Sequence, residues 1–188
     1  MTPRVQTREP YAFIHINKCA GSSIEVALGI PKAHVTAETM RAEMGPDAWA
    51  RRLSFAVVRH PVDRIVAVYF HRLRIGLGGL SRCGPSPDDW VRAVYLDHDS
   101  RDTEGARFLG PSAEWVSDSN GVIVDEILRF EDLSQGWQRV AKRLGVCPFL
   151  PFLNVNPHEP WREALSPKGQ QIVADALSAD FDLLGYEM

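Results

Sequence analysis

The chain has 188 residues, 45% apolar and 24% charged, with a net charge of −3. That length suits one domain with a substantial core, and the composition is that of a soluble globular protein. The charge argues against a general nucleic-acid or membrane-surface binder, no window has the length and purity of a membrane span, and residues 1–15 lack a signal-peptide core.

The first element is an alternating apolar run, Tyr11-Ala-Phe-Ile-His-Ile, that stops at Asn17 and Lys18. Gly21, Ser22 and Ser23 follow, and Ile24 to Leu28 can continue as a helix. This pattern predicts a strand, a tight loop and a helix N-terminus. A helix start offers N–H groups and the positive end of its dipole, so it suits an anion. Lys18 adds a mobile positive charge and the serines add short donors. Thr36 is placed to cap a helix over Ala37–Met44, with Gly45 ending it.

Phe55 to Val58 is a short continuous apolar run, as in a strand buried on both faces. Arg59 stands at its carboxyl end, where ligands of open α/β sheets gather, and its guanidinium can grip a phosphate with parallel hydrogen bonds. Pro61 can take the first helical position, with Asp63 in the first turn. Val62, Ile65, Val66, Tyr69, Phe70 and Leu73 recur at helical spacing up to a stop at Gly76. Gly76–Pro87 is the strongest loop signal, and Ser86-Pro87-Asp88-Asp89 begins another helix. Residues 99–121 are polar and irregular. A strand is expected near Val122–Phe130, then a helix from Ser134 to Leu144 stopped by Gly145. A last helix starts at Ser166-Pro167 and carries Ile172, Val173 and Leu177. Strands alternating with helices predict an α/β chain with a parallel sheet covered on both faces. Cys19, Cys83 and Cys147 are odd in number and lack ligand spacing, so neither a disulfide framework nor a zinc site is indicated.

The lysine loop is not a Walker A loop, in which glycines precede a Gly-Lys-Ser/Thr element. Here Lys18 opens the loop and Gly21 comes after it. The order strand-x-Lys18-x-x-Gly21-Ser22-Ser23-helix resembles the 5′-phosphosulfate loop of sulfotransferases that use 3′-phosphoadenosine 5′-phosphosulfate (PAPS). Val58-Arg59-x-Pro61-x-Asp63-Arg64-x-Val66-x-x-Tyr69 is similar to the 3′-phosphate motif of the same family. Looser matches run through Ile127-Leu-Arg-Phe-Glu131-Asp132-Leu133, Leu153-Asn-Val-Asn156 and Asp180-Phe181 to Gly185-Tyr186. The resemblance spans nearly the whole chain and is closest to the bacterial and glycan-type branch.

The resemblance implies a P-loop-like α/β fold, here a single domain over 1–188 with a central parallel β-sheet flanked by helices. It implies in-line transfer of a sulfuryl group from PAPS to a hydroxyl of a carbohydrate or small metabolite, with no metal. Lys18, Cys19, Ala20, Gly21, Ser22, Ser23, Arg59 and position 67 are the implied donor-binding residues. Lys18 would also stabilise the leaving phosphate. Two positions depart from the family pattern. Asn17 replaces a proline and can still form the loop. Ala67 replaces a phosphate-binding serine, whose hydrogen bond to a charged group would contribute about 1.5–3 kcal/mol.

The acceptor hydroxyl needs a general base, and His34, followed by small and hydroxyl residues, resembles the base segment of the glycan branch. His15 is expected as an orienter and Glu43 as a solvated helix residue, each an alternative base. Arg64 is expected either near donor charge or in a surface pair with Asp63. Most of the five tryptophans are expected as core or half-buried packing residues. Without a signal or anchor, the chain is expected to be cytoplasmic. The competing readings are a relative that binds PAPS or its bisphosphate product with little or no turnover, suggested by Ala67, and a P-loop kinase.

Overall fold

The computed structural model describes residues 9–77, 80, 84–98 and 105–188. The chain divides into two compact units, Met1–Arg59 with Ser112–Val155, and His60–Pro111 with Asn156–Met188.

The first unit is built on a three-stranded sheet in the order β1-β2-β5, with β1 at Tyr11–Ile14, β2 at Leu53–Val58 and β5 at Glu126–Arg129. Both pairings are parallel, Tyr11 opposite Leu53 and Phe55 opposite Glu126. All of β1 and nearly all of β2 is buried, which explains runs without polar alternation. The rings of Phe13 and Phe55 lie 5.1 Å apart across the strands.

Between β1 and β2 the chain forms three helices, α1 at Gly21–Leu28, α2 at Ala37–Met44 and α3 at Pro46–Ala50. Thr36 caps α2 by accepting from the Thr39 N–H, as expected. A four-residue helix, α6 at Ala113–Val116, leads into a small antiparallel pair, β3 at Ser117–Asp118 and β4 at Gly121–Val122. The strand expected over Val122–Phe130 is therefore split. The carboxylate of Asp125 turns back to accept from the backbone N–H and hydroxyl of Ser54 at 2.8 and 2.7 Å, and pairing resumes only at Glu126. Helix α7, Leu133–Leu144, packs on β5 with Trp137, Val140 and Ala141 inward and ends at Gly145, as the sequence predicts.

The second unit is helical. It comprises α4 at Pro61–Ile75, α5 at Pro87–Tyr95, α8 at Trp161–Ala164, α9 at Pro167–Ala176 and α10 at Ser178–Leu184. Its core joins Val62, Ile65, Val66 and Tyr69 to Trp90, Val94, Leu165, Val173 and Leu177. Each such side chain, fully buried, contributes about 1.5–3 kcal/mol. The Asp88 carboxylate of α5 receives the Ser166 hydroxyl at 2.7 Å and so ties the starts of α5 and α9 together. All five tryptophans are buried. Parts of the glycine-rich loop and of the 99–121 stretch lie outside the described residues. Among the described residues no helix is long and apolar enough to cross a membrane.

Candidate functional site

After β1 the chain continues through buried His15 and Ile16 into a turn over Asn17–Ala20. Lys18 and Ala20 both adopt left-handed backbone angles, φ +62° and +57°. Non-glycine residues pay about 1–3 kcal/mol each for such a conformation, which persists only where the surroundings over-determine it. Turns that visit the left-handed region gather successive N–H groups into an anion-binding concavity. Here the turn runs directly into α1. Its capping residue, Ala20, has no side chain to cap with, and the first turn of the helix carries no acidic residue.

The surroundings that impose the turn can be named. The Cys19 thiol is buried and donates to the Asn17 carbonyl at 3.4 Å. Arg59, the residue after β2, donates from Nη1 to the Lys18 carbonyl at 3.3 Å. Its guanidinium rests 4.3 Å from the centroid of the Phe130 ring, a cation–π contact worth about 0.5–2 kcal/mol. The lysine loop and the arginine, far apart in sequence, meet because β1 and β2 are parallel neighbours whose carboxyl ends share one edge. Ser22 is half-buried, while Ser23 is buried and accepts the Leu153 N–H at 3.3 Å.

Gly21 is required by a close approach. A Cβ there would lie 2.0 Å from the His15 ring. His15 is held by Glu25 of α1, whose Oε1 accepts from His15 Nδ1 at 2.6 Å and from the Ala33 N–H at 3.2 Å. The next residue, His34, donates from Nδ1 to the His15 carbonyl at 3.0 Å, with the two rings 4.1 Å apart. Burial, and then the neighbouring His15, lower the His34 pKa to about 4. At neutral pH the ring is therefore uncharged, and its Nδ1 proton leaves the basic lone pair on Nε2.

The first unit thus brings together Lys18, Cys19, Ala20, Gly21, Ser22, Ser23, Arg59 and His34. Ala67 belongs to the second unit, on α4, and is 3% exposed. Arg64 is not the surface residue of the expected pair with Asp63. It is fully buried, and its guanidinium donates to the carbonyls of Phe108 and Gly110. Glu43 is exposed, as expected. Two residues escaped the sequence reading. Glu25 falls on the α1 stripe of Gly21, Ile24 and Leu28, and that spacing is the signal for its burial. Phe130, half-buried under Arg59, ends the predicted last strand, and nothing in the sequence marks it as the partner of Arg59.

A family model described as the sulfotransferase family matches residues 4–187. The chain belongs to this family, and its general chemistry is sulfuryl transfer. Comparison with curated proteins and with solved structures returned no match.

Proposed function

We propose that the chain is a PAPS-dependent O-sulfotransferase acting on a hydroxyl of a carbohydrate or other small metabolite. The observation that carries this reading is the convergence of Lys18 and Arg59 at the ends of β1 and β2, within a chain of the sulfotransferase family. A single catalytic domain over 1–188, in a cytoplasmic setting and without a metal, completes it; the family match running through both units supports the domain.

The residues present fit an anionic donor, since a helix start without a side-chain cap stands beside a lysine and an arginine. Lys18, the loop from Cys19 to Gly21, Ser22 and Ser23 would hold its 5′ end, and Arg59 its 3′-phosphate. Bound PAPS supplies a sulfuryl group whose departure places charge on the bridging phosphate oxygen. The Lys18 ammonium and the N–H groups at the start of α1 are the positive partners for such charge. His34, neutral and with its lone pair on Nε2, takes the acceptor proton. A positioned base contributes about 10²–10⁴-fold when its pKa lies near the working pH; with a pKa of about 4, His34 belongs at the low end of that range.

The test is thermal stabilisation by 3′-phosphoadenosine 5′-phosphate beside magnesium-ATP. At about 100 times the dissociation constant the bisphosphate adds about 2.7 kcal/mol. The shift is expected to be selective for the bisphosphate and to be lost in Lys18→Ala and Arg59→Ala. Equal stabilisation by both ligands, or by neither, defeats the proposal.

Ala67 favours a second reading, a relative that binds the nucleotide without turning over, because a methyl group cannot donate to a phosphate. Ala67→Ser separates the two. If position 67 faces the donor, serine tightens bisphosphate binding by roughly ten- to a hundredfold in titration calorimetry, the equivalent of about 1.5–3 kcal/mol. Tightening accompanied by sulfuryl transfer that the parent chain lacks supports the inactive relative. Turnover in the parent chain excludes it.

A further inference from the structure

The geometry points to Glu25 as a positioning residue that fixes His34 against the carbonyl of His15, which leads into the lysine loop, and commits the His34 proton to Nδ1. This rests on the reading of His34 as the base.

Glu25 is 5% exposed. One carboxylate oxygen receives both the His15 ring and the Ala33 amide. The first donor belongs to the residue whose carbonyl receives His34, and the second to the residue immediately before His34. The contacts therefore close a ring, from Glu25 to His15, from His15 to His34, and through the chain from His34 to Ala33 and back to Glu25. A buried carboxylate is tolerable only when paired and hydrogen-bonded, and this one uses its bonds to pin both sides of the histidine. The effect of Glu25 passes through the His15 carbonyl, which acts on His34 as the orienting group acts on the base of a catalytic triad.

The groups facing His34 are His15 from the end of β1, Glu25 from α1 and Lys32 from its own segment, beside the Trp115 ring of α6. Burial is the largest cause of its depressed pKa, and the Glu25 charge opposes it weakly. Positioning and simple electrostatics therefore predict opposite signs. If Glu25 acted only through charge, its removal would lower the His34 midpoint further. If it positions the ring, removal lets the 33–34 segment move into water and the midpoint climbs toward the ordinary value near 6.5.

The experiment is nitrogen NMR of the histidine rings across a pH titration of the ligand-free protein, with Glu25→Gln and Glu25→Ala. In the parent and in Glu25→Gln, which retains an acceptor oxygen, His34 is expected to carry its proton on Nδ1, titrating near 4 in the parent and slightly lower in Glu25→Gln, which lacks the charge. In Glu25→Ala the midpoint should rise and the Nε2–H tautomer should appear. If that variant does not fold, Glu25→Asp, too short for one oxygen to span both donors, is expected to change in the same direction. A folded Glu25→Ala or Glu25→Asp with unchanged tautomer and midpoint overturns the proposal. Under turnover, kcat should fall by about tenfold or more in the alanine or aspartate variant, part of what a base contributes, with the donor KM little changed and Glu25→Gln near the parent. The ring measurement needs no donor, so its failure is distinguishable from a failure to bind the bisphosphate.

Discussion

A methyl group at Gly21 would have to occupy the space of the His15 ring, 2.0 Å from its nearest atom. His15 cannot withdraw without breaking the 2.6 Å contact with Glu25, so Gly21→Ala must shift the helix start or dissolve that pair. Overpacking of this kind costs about 1–3 kcal/mol, or roughly 2–4 °C in Tm for each kcal/mol at this chain length. The expected result is a lowered melting temperature together with weakened bisphosphate binding, measured by calorimetry; unchanged values for both would show that the loop does not depend on this contact. Lys18, Gly21 and Arg59 were legible because their chemical types stand at a strand end and a helix start. The left-handed backbone of Ala20 was not, since alanine has no intrinsic reason to adopt it. The turn around it is held in part from elsewhere in the chain, by Arg59 on the Lys18 carbonyl.

At the scale of elements, legibility followed helical period, glycine stops and, for three helices, side-chain caps. Thr36, Ser86 and Ser166 each accept the N–H three residues on, at 3.2 Å, and each was readable as a polar residue before a helix start. The short helices α3, α8 and α10 lack side-chain caps and are too brief to show a period, so they left no trace. The split of the last strand was equally hidden, because it depends on Asp125 reaching Ser54 across the sheet. The caps differ in expected weight. Ser166 receives the Gly169 N–H and also donates to Asp88 at 2.7 Å, so it serves as cap and tie at once. Ser166→Ala should therefore cost more than the roughly 1 kcal/mol of an ordinary cap, and more than Thr36→Ala, whose hydroxyl bonds only within its own cap, to Thr39. Urea midpoints of the two variants, at an unchanged slope, test the ordering; equal costs would mean that the Asp88 tie adds nothing.

For the whole molecule, the His34 environment ties the site to stability. The ordinary histidine pKa of 6.5 applies to the unfolded chain, while burial and His15 lower the folded value to about 4. Between these pH values the unfolded state binds a proton that the folded state refuses. Stability from this source is complete above about pH 6.5. It declines as pH falls toward 4, and below that both states are protonated. Asp118 acts in a lower window. The Asn120 N–H and then Arg41 hold its carboxyl below the usual 3.8, so its contribution is retained above that value and lost only further into acid. The two windows meet only near pH 4, which makes the histidine separable above it. Melting temperatures from pH 7.5 to 4 should fall in the parent chain, and His34→Gln, which cannot titrate, should flatten the part above pH 4 by one proton's worth of slope. If the variant and the parent decline in parallel, the fold does not hold His34 neutral in acid, and the burial of its ring against His15 is not what sets its charge.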